Sequence, residues 1–317
     1  MTIGIAAFGP NAGIGIFKGL RAAERVGTGS IGGFATYAAI TDDGRLLRSE
    51  TQRGGSSTLF LEGETTGVEP PEAIATARFA ALISSGPERP DLVKLVAADP
   101  KVGLVTGHRL PIQVGVDGVP MNDQALELMR AGRSPQEAVD HVIGRNPEAD
   151  CGLIALDVTG RLYGRNTERV LRRKPDMSEL AQESPDGRAR VIVFYNAIRP
   201  HLVLAPLMAQ ITLDAMLGVP GPDATIFMPA DLPVRLGPEM AIFCDAAGTA
   251  QYLTTADPLA VKGTHIGAVV QYGAPVYADG KLIGRAMFEV MTLTVDGVLK
   301  QMSGQPTMHG GIRHATA

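Results

Sequence analysis

"LELMRAGRSPQEAVDHVIGRNPEADCGLIALDVTGRLYGRNTE" occupies residues 126–168 and holds two kinds of hydrophobic pattern back to back. Its first half repeats apolar residues at helical spacing and is interrupted at Gly132. Ser134 stands three residues before Glu137, with Pro135 between them. That is a capping box with proline at the first helical position, and it predicts a helix start there. The second half, "CGLIALD", is a short unbroken apolar run followed by "VTG" and then "RLYG". This predicts two strands joined by a turn. A helical hairpin that leads directly into a β-hairpin requires the helices to cover one face of a sheet.

The same strand-turn-strand pattern recurs outward from this segment. "GTGSIGGFATYAAITDDGRLL" spans residues 27–47 and "GTHIGAVVQYGAPVYADGKLIG" spans 263–284. Each has a small-residue start, an apolar strand, an Asp/Thr/Gly turn, and Arg or Lys before Leu. Their spacings differ, so they are not repeats of fixed period. The opening "MTIGIAAFGPNAGIGIFKG" reads as a further hairpin, with runs at 2–7 and 13–17 across "FGPNAG", followed by a short helix "KGLRAAERV". "PPEAIATARFAALISSG" puts Ile74, Arg78, Ala81 and Leu82 at helical spacing. "RVIVFYNAI" reads as a strand, "LVLAPLMAQITLDAMLG" as a buried helix, and "MHGGIRH" as a mobile tail.

Residues 172–190, "RRKPDMSELAQESPDGRAR", are the most polar stretch. They mark a predicted division between a core at 1–180 and an α+β part at 181–317, which either stands apart or completes the same sandwich. The fold class expected is α+β, a layered α/β/β/α sandwich with a β-rich C-terminal extension.

The 317 residues suffice for a sizeable core. A formal net charge of −4 and a chain without Trp give no reason to expect nucleic acid or an anionic membrane as partner. Two cysteines, Cys151 and Cys244, do not make a disulfide framework, and no Cys/His pattern has zinc spacing. No metal or cofactor is expected. The N-terminus lacks the basic region of a signal peptide, and no apolar run approaches membrane-spanning length. These features predict a cytoplasmic protein acting on a small molecule, and a homo-oligomer.

The segment 126–168, with the Met-Thr opening, resembles the N-terminal-nucleophile hydrolase superfamily. More narrowly, it resembles a bacterial branch of unknown function whose members begin Met-Thr and carry a similar "SPxEA" helix before a strand ending "D-x-x-G". "GLIALDVTGRL" is also similar to a strand of isoaspartyl peptidases and plant-type asparaginases. The resemblance covers roughly residues 2–47 and 124–167. It implies two sheets between helix layers, and amide cleavage by an N-terminal Thr, Ser or Cys. A threonine hydroxyl needs a base, and its own free α-amino group, with a pKa of about 7.7–8.0, can serve. In the asparaginase-like branch the nucleophile precedes this strand at the place of Asp150, which cannot act so. Cys151 lies one position on, on the opposite strand face.

The resemblance therefore implies Thr2 as nucleophile once Met1 is removed, with Lys18 as its charge partner. Ser30, Gly32 and the glycines of "GTGSIGG" would line the pocket, since that loop matches no phosphate-binding pattern. Arg109, in "TGHRLP", and Arg199 with His201, in "AIRPH", fall in loops beside strands, where an arginine can hold a substrate carboxylate. Each has a plainer reading: Thr2 as a strand residue, the arginines as structural ion pairs, and both cysteines as core. A non-catalytic binding or assembly protein of the same fold, and a cysteine amidohydrolase using Cys151, are the alternatives.

Overall fold

A computed structural model describes residues 2–27, 29–173, 177–198 and 204–315. The protein is mixed α+β. It divides into two compact units, residues 1–24 with 29–218, and residues 25–28 with 219–317. The division thus comes after Gly218. The expected division at 180 falls inside a strand of the first unit.

That unit begins with β1 (Thr2–Phe8), α1 (Ala12–Val26), β2 (Ala35–Ile40), β3 (Leu46–Thr51), α2 (Ser56–Leu59), α3 (Glu72–Ala75) and β4 (Phe79–Ser85). It continues through β5 (Ala97–Asp99), β6 (Gly103–Arg109), α4 (Met121–Arg130), α5 (Pro135–Arg145), β7 (Cys151–Asp157) and β8 (Leu162–Asn166). It closes with α6 (Glu168–Leu171), β9 (Met177–Glu183), β10 (Arg190–Asn196) and α7 (Leu204–Met216). A six-stranded sheet has the order β3-β2-β4-β1-β10-β9, and a four-stranded sheet has the order β5-β6-β7-β8. Every neighbouring pair in both is antiparallel.

Strand alternation explains how the sheets meet. Ala6, Ala38, Ala81, Ile83, Ile192 and Phe194 of the larger sheet share one core with Leu104, Ile154 and Leu156 of the smaller. The opposite face of the smaller sheet, with Val105, Cys151, Leu153 and Ala155, packs on Ala125, Met129, Val139 and Val142 of α4 and α5. The capping box forms as expected: Ser134 Oγ accepts from Glu137 N, and Glu137 Oε2 accepts from Ser134 N at 2.8 Å. Cys151 faces the helices, as its register requires.

Three expectations fail for physical reasons. Residues 13–17 are helical, within α1, and not a second strand. Asn11 at φ +54° turns the chain directly from β1 into a helix whose small residues allow close packing. A Cβ at Gly13 would lie 1.7 Å from Ile74 O, and one at Gly19 would lie 2.4 Å from Thr212 Oγ1 of α7. "FAALISS" is strand β4, not helix. It sits between β1 and β2 with both faces covered, so its apolar residues show no helical stripe to read. "MHGGIRH" is a strand of the second unit.

That second unit is a ten-stranded half-barrel. Its strands are β11 (Ala224–Met228), β12 (Leu232–Leu236), β13 (Ala241–Cys244), β14 (Ala250–Thr255) and β15 (Thr264–Val270). They continue as β16 (Pro275–Ala278), β17 (Lys281–Ala286), β18 (Val290–Val295), β19 (Val298–Met302) and β20 (Met308–His314). The order is β11-β20-β17-β16-β13-β14-β12-β19-β18-β15. Asp279 and Gly280, at φ +49° and +74°, make the tight turn that "ADG" predicts between β16 and β17. β20 is held between β11 and β17, and its glycines admit Phe288 and Pro222.

The two sheets of the first unit touch through bare backbone. A Cβ on Gly4 would lie 2.2 Å from Gly107 O. Gly4→Ala is therefore expected to destabilise the protein by at least ~2 kcal/mol in urea denaturation, because backbone cannot swing aside. Gly144→Ala, on α5 with nothing within 4 Å of the added Cβ, serves as the contrast and should stabilise by roughly 0.5–1 kcal/mol.

Candidate functional site

Polar residues gather where apolar strands end. β1 begins, and β10, β6 and β8 end, at the same edge of the paired sheets. The register sets Thr2 opposite Asn196 and Ser85, Arg109 opposite Cys151, and Gly152 opposite Asn166. Thr2, Asn196, His108 and Asn166 are on alternate positions that face the other sheet, and all four are buried.

Thr2 is 0% exposed. Its hydroxyl donates to Asn196 Oδ1 at 2.9 Å and accepts a close hydrogen bond from the backbone N–H of Arg109. The same Asn196 oxygen accepts from Thr2 N at 3.2 Å. One amide oxygen thus gathers both polar atoms of the threonine. Arg109 ends β6 in the left-handed region, at φ +65°. Such a conformation costs a non-glycine residue on the order of 1 kcal/mol. Its guanidinium grips Asp150 with two parallel bonds, Nε to Oδ1 and Nη2 to Oδ2, the latter 2.9 Å. Burial acts to raise the Asp150 carboxyl, but Arg109 outweighs it and holds that group below the ordinary carboxylate range. Arg109 therefore already has a carboxylate, from its own chain.

A second set lies alongside. Asn166 Nδ2 donates to Glu179 Oε2 at 2.5 Å, which fixes the orientation of that amide. Asn166 Oδ1 is then an acceptor, so His108 Nε2, 2.6 Å away, carries the proton. His108 Nδ1 is left as a bare lone pair, with no partner among the described residues. Burial pushes the His108 imidazole down to about 4, against the pull of Asn166. It is neutral at physiological pH.

Of the residues expected to act with Thr2, Lys18 is elsewhere. It lies on α1, where Gly19 packs on Ile5, and Ile5 and Thr2 face opposite sides of β1. Lys18 pairs with Glu69 at 3.6 Å. The hairpin reading of residues 13–17 placed it beside Thr2, and the helix takes it away. Ser30 packs against Gly86, which follows Ser85, the residue opposite Thr2. Gly32, at φ +72°, accepts from Gly54 N at 3.1 Å. Both belong to the Thr2 end of the sheet without touching Thr2. Arg199 and His201 lie outside the described residues, as does Met1. Thr2 lines neither the 660 Å³ groove along β3 nor the 450 Å³ hollow beside Phe8.

Asn196, Asn166 and Glu179 escaped the sequence reading. Asn196 and Asn166 each carried a signal, a buried polar residue at the last position of its strand, in "VFYN" and "LYGRN", whereas Glu179, exposed in mid-strand of β9, carried none. Cys151 and Cys244 are buried, and burial pushes both thiols up, Cys244 to about 11. Among the described residues no group of three or more His, Cys, Asp or Glu is placed to hold a metal, and no helix is long and apolar enough to cross a membrane.

Residues 2–225 match the family model described as a domain of unknown function, DUF6963. The chain belongs to that family. Residues 231–307 match a second, described as a domain of unknown function, DUF7259. The two matches follow the two structural units closely, one running to 225 where the first unit ends at 218. No curated protein and no solved structure matches the chain.

His108 makes the DUF6963 unit acid-sensitive. Its folded pKa of about 4 lies below its ordinary 6.5, so between those values the unfolded chain binds the proton more readily. Stability present above pH 6.5 should fall as pH drops towards 4, by up to about 3 kcal/mol. His108→Gln, which keeps a donor for Asn166, should remove that part of the pH dependence in denaturation curves. Iodoacetamide should label neither cysteine until the protein is unfolded.

Proposed function

We propose that the first unit is a four-layer α/β/β/α sandwich of the N-terminal-nucleophile kind, and that the protein hydrolyses an amide bond of a small molecule with Thr2 as nucleophile. The observation that carries this reading is the pairing of Thr2 N and Thr2 Oγ1 on one oxygen, Asn196 Oδ1, at 3.2 and 2.9 Å. With Met1 removed, Thr2 N is an α-amine held beside the hydroxyl it must deprotonate. Removal of methionine before threonine is chemically reasonable because the second side chain is small.

The steps balance without further groups. The amine takes the hydroxyl proton as Oγ1 attacks the substrate carbonyl carbon, and the resulting ammonium gives that proton to the leaving amine as the C–N bond breaks. Water, deprotonated by the same amine, then attacks the ester carbonyl, and as the C–Oγ1 bond breaks the ammonium returns that proton to Oγ1, which restores the free hydroxyl and amine and releases the acid. The backbone N–H of Arg109, whose side chain Asp150 grips at the end of β6, donates to Thr2 Oγ1 itself and so orients the nucleophile. Neutral His108 keeps positive charge away from the amine.

A second reading, a non-catalytic binding protein of the same fold, is favoured by one observation: Thr2 is wholly buried. Intact mass spectrometry decides first whether Met1 is present. In protein that lacks it, a panel of small amides should be cleaved with a rate rising through the amine's titration near pH ~7.7–8.0. Thr2→Ala should fold normally and lose at least ~1,000-fold in rate, while Thr2→Ser retains activity. Retention of Met1 in protein that hydrolyses amides would end the threonine mechanism.

A further inference from the structure

A cleft of about 260 Å³ opens between the edge strands β8 and β9. Phe194, Ile192 and Ala181 form its floor on the larger sheet, and Gly164 and Asn166 form its wall on the smaller. Gly164 is required here, because a Cβ on it would lie 2.8 Å from Phe194 Cζ. Arg165 contributes only its stem, since its guanidinium bonds Asp140 of α5 at 2.9 Å. The carboxylate that remains is Glu179, directly across the strands from Phe194.

Glu179 is oriented rather than free. Asn166, 3% exposed, donates to Glu179 Oε2 and is itself fixed by His108. Glu179 Oε1 has no partner among the described residues. An exposed carboxylate held through one oxygen at the rim of a cleft lined by Ala181, Ile192 and Phe194 suits a group that is both cationic and partly apolar. An anion would meet Glu179 unfavourably, and a neutral alcohol would leave the charge uncompensated. Asn196, which holds Thr2, is two residues beyond Phe194 on the same strand face, about 7 Å along β10.

We propose that this cleft binds an alkylammonium group, with Glu179 as its counter-charge, and that it recognises the cationic end of the substrate. The second clause rests on the hydrolase reading; the first does not. The test is therefore binding, read without turnover. n-Butylammonium titrated into protein with labelled methyl groups should shift the Ile192 and Ala181 methyl resonances, at millimolar concentration. n-Butanol and butyrate should bind at least several-fold more weakly. Glu179→Gln should raise the dissociation constant about ten-fold with the melting temperature unchanged. Ala181→Leu, which fills the cleft while leaving Glu179 in place, should abolish the shifts. Equal binding of butanol or butyrate, or unchanged affinity in Glu179→Gln, overturns the proposal. The titration is repeated in Thr2→Ala protein. Binding retained there, in a protein that shows no hydrolysis with Thr2 intact, keeps the cleft and removes the hydrolase reading. Hydrolysis without ammonium binding does the reverse.

Discussion

The close approach of two sheets through glycine is the constraint on which the first unit depends. Gly4 brings β1 against β6 of the other sheet, and Gly107 and Gly152 draw β6, β7 and β8 together within the smaller sheet. A Cβ on Gly4 would meet Gly107 O at 2.2 Å, one on Gly107 would meet Gly152 O at 1.9 Å, and one on Gly152 would meet Asn166 Oδ1 at 1.9 Å. Elsewhere the sheets are held apart by Ile, Leu and Phe side chains. At this end the side chains disappear, and the space they leave is filled by Thr2, His108, Asn166 and Asn196. The glycines thus do two things at once. They bring the backbone of β6 within hydrogen-bonding reach of Thr2, and they make room for polar groups that an ordinary core would exclude.

Burying so many polar atoms is costly unless each is bonded, and most of these are. Thr2 and Asn196 satisfy one another, and Arg109 and Asp150 form a bidentate pair at the rim. The exception is His108 Nδ1. A buried, neutral imidazole with one nitrogen bonded and the other bare is a destabilising arrangement in a plain core. Burial disfavours the charged ring for the same reason, and pushes its titration down.

How much of this was legible depended on whether the information was local. The α4–α5 hairpin was readable because Ser134, Pro135 and Glu137 specify a helix start by themselves. The β2–β3, β7–β8 and β16–β17 hairpins were readable because Asp-Gly and Thr-Gly turns are local too. Residues 13–17 and 79–85 were misread because their conformation is decided by what lies against them. "AGIGIF" can alternate as a strand, and only the approach of Ile74 and α7 to its glycines selects a helix. "FAALISS" has helix-forming Ala and Leu, yet the central place between β1 and β2 overrides propensity. Lys18 was misassigned as a consequence of the first error, not a separate one. Thr2 starts a strand, as its plainer reading had it, although the hairpin expected to follow it does not form. Its partners Asn196 and Arg109 lie 194 and 107 residues away, a separation no local pattern encodes.

The second unit solves a different problem with different residues. Its sheet joins ten short strands around a core of their own side chains, and among its means is a ladder across β12, β14, β13 and β16. Arg235 lies 4.1 Å over the Tyr252 ring, Tyr252 stacks on Phe243 at 4.5 Å, and Phe243 stacks on Tyr277 at 5.1 Å. The interplanar angles of 8° and 14° and the near match to strand spacing mean the rings stand upright on the sheet, face to face. Upright rings present edges to solvent and bury their faces in one another. A platform for sugars or bases needs exposed faces, so this ladder is better understood as cross-strand stabilisation of an open sheet. It brings together residues that sit singly in "VRL", "QYL", "IFC" and "VYA", and it explains why a chain with no tryptophan places three of its fifteen aromatic residues in one row.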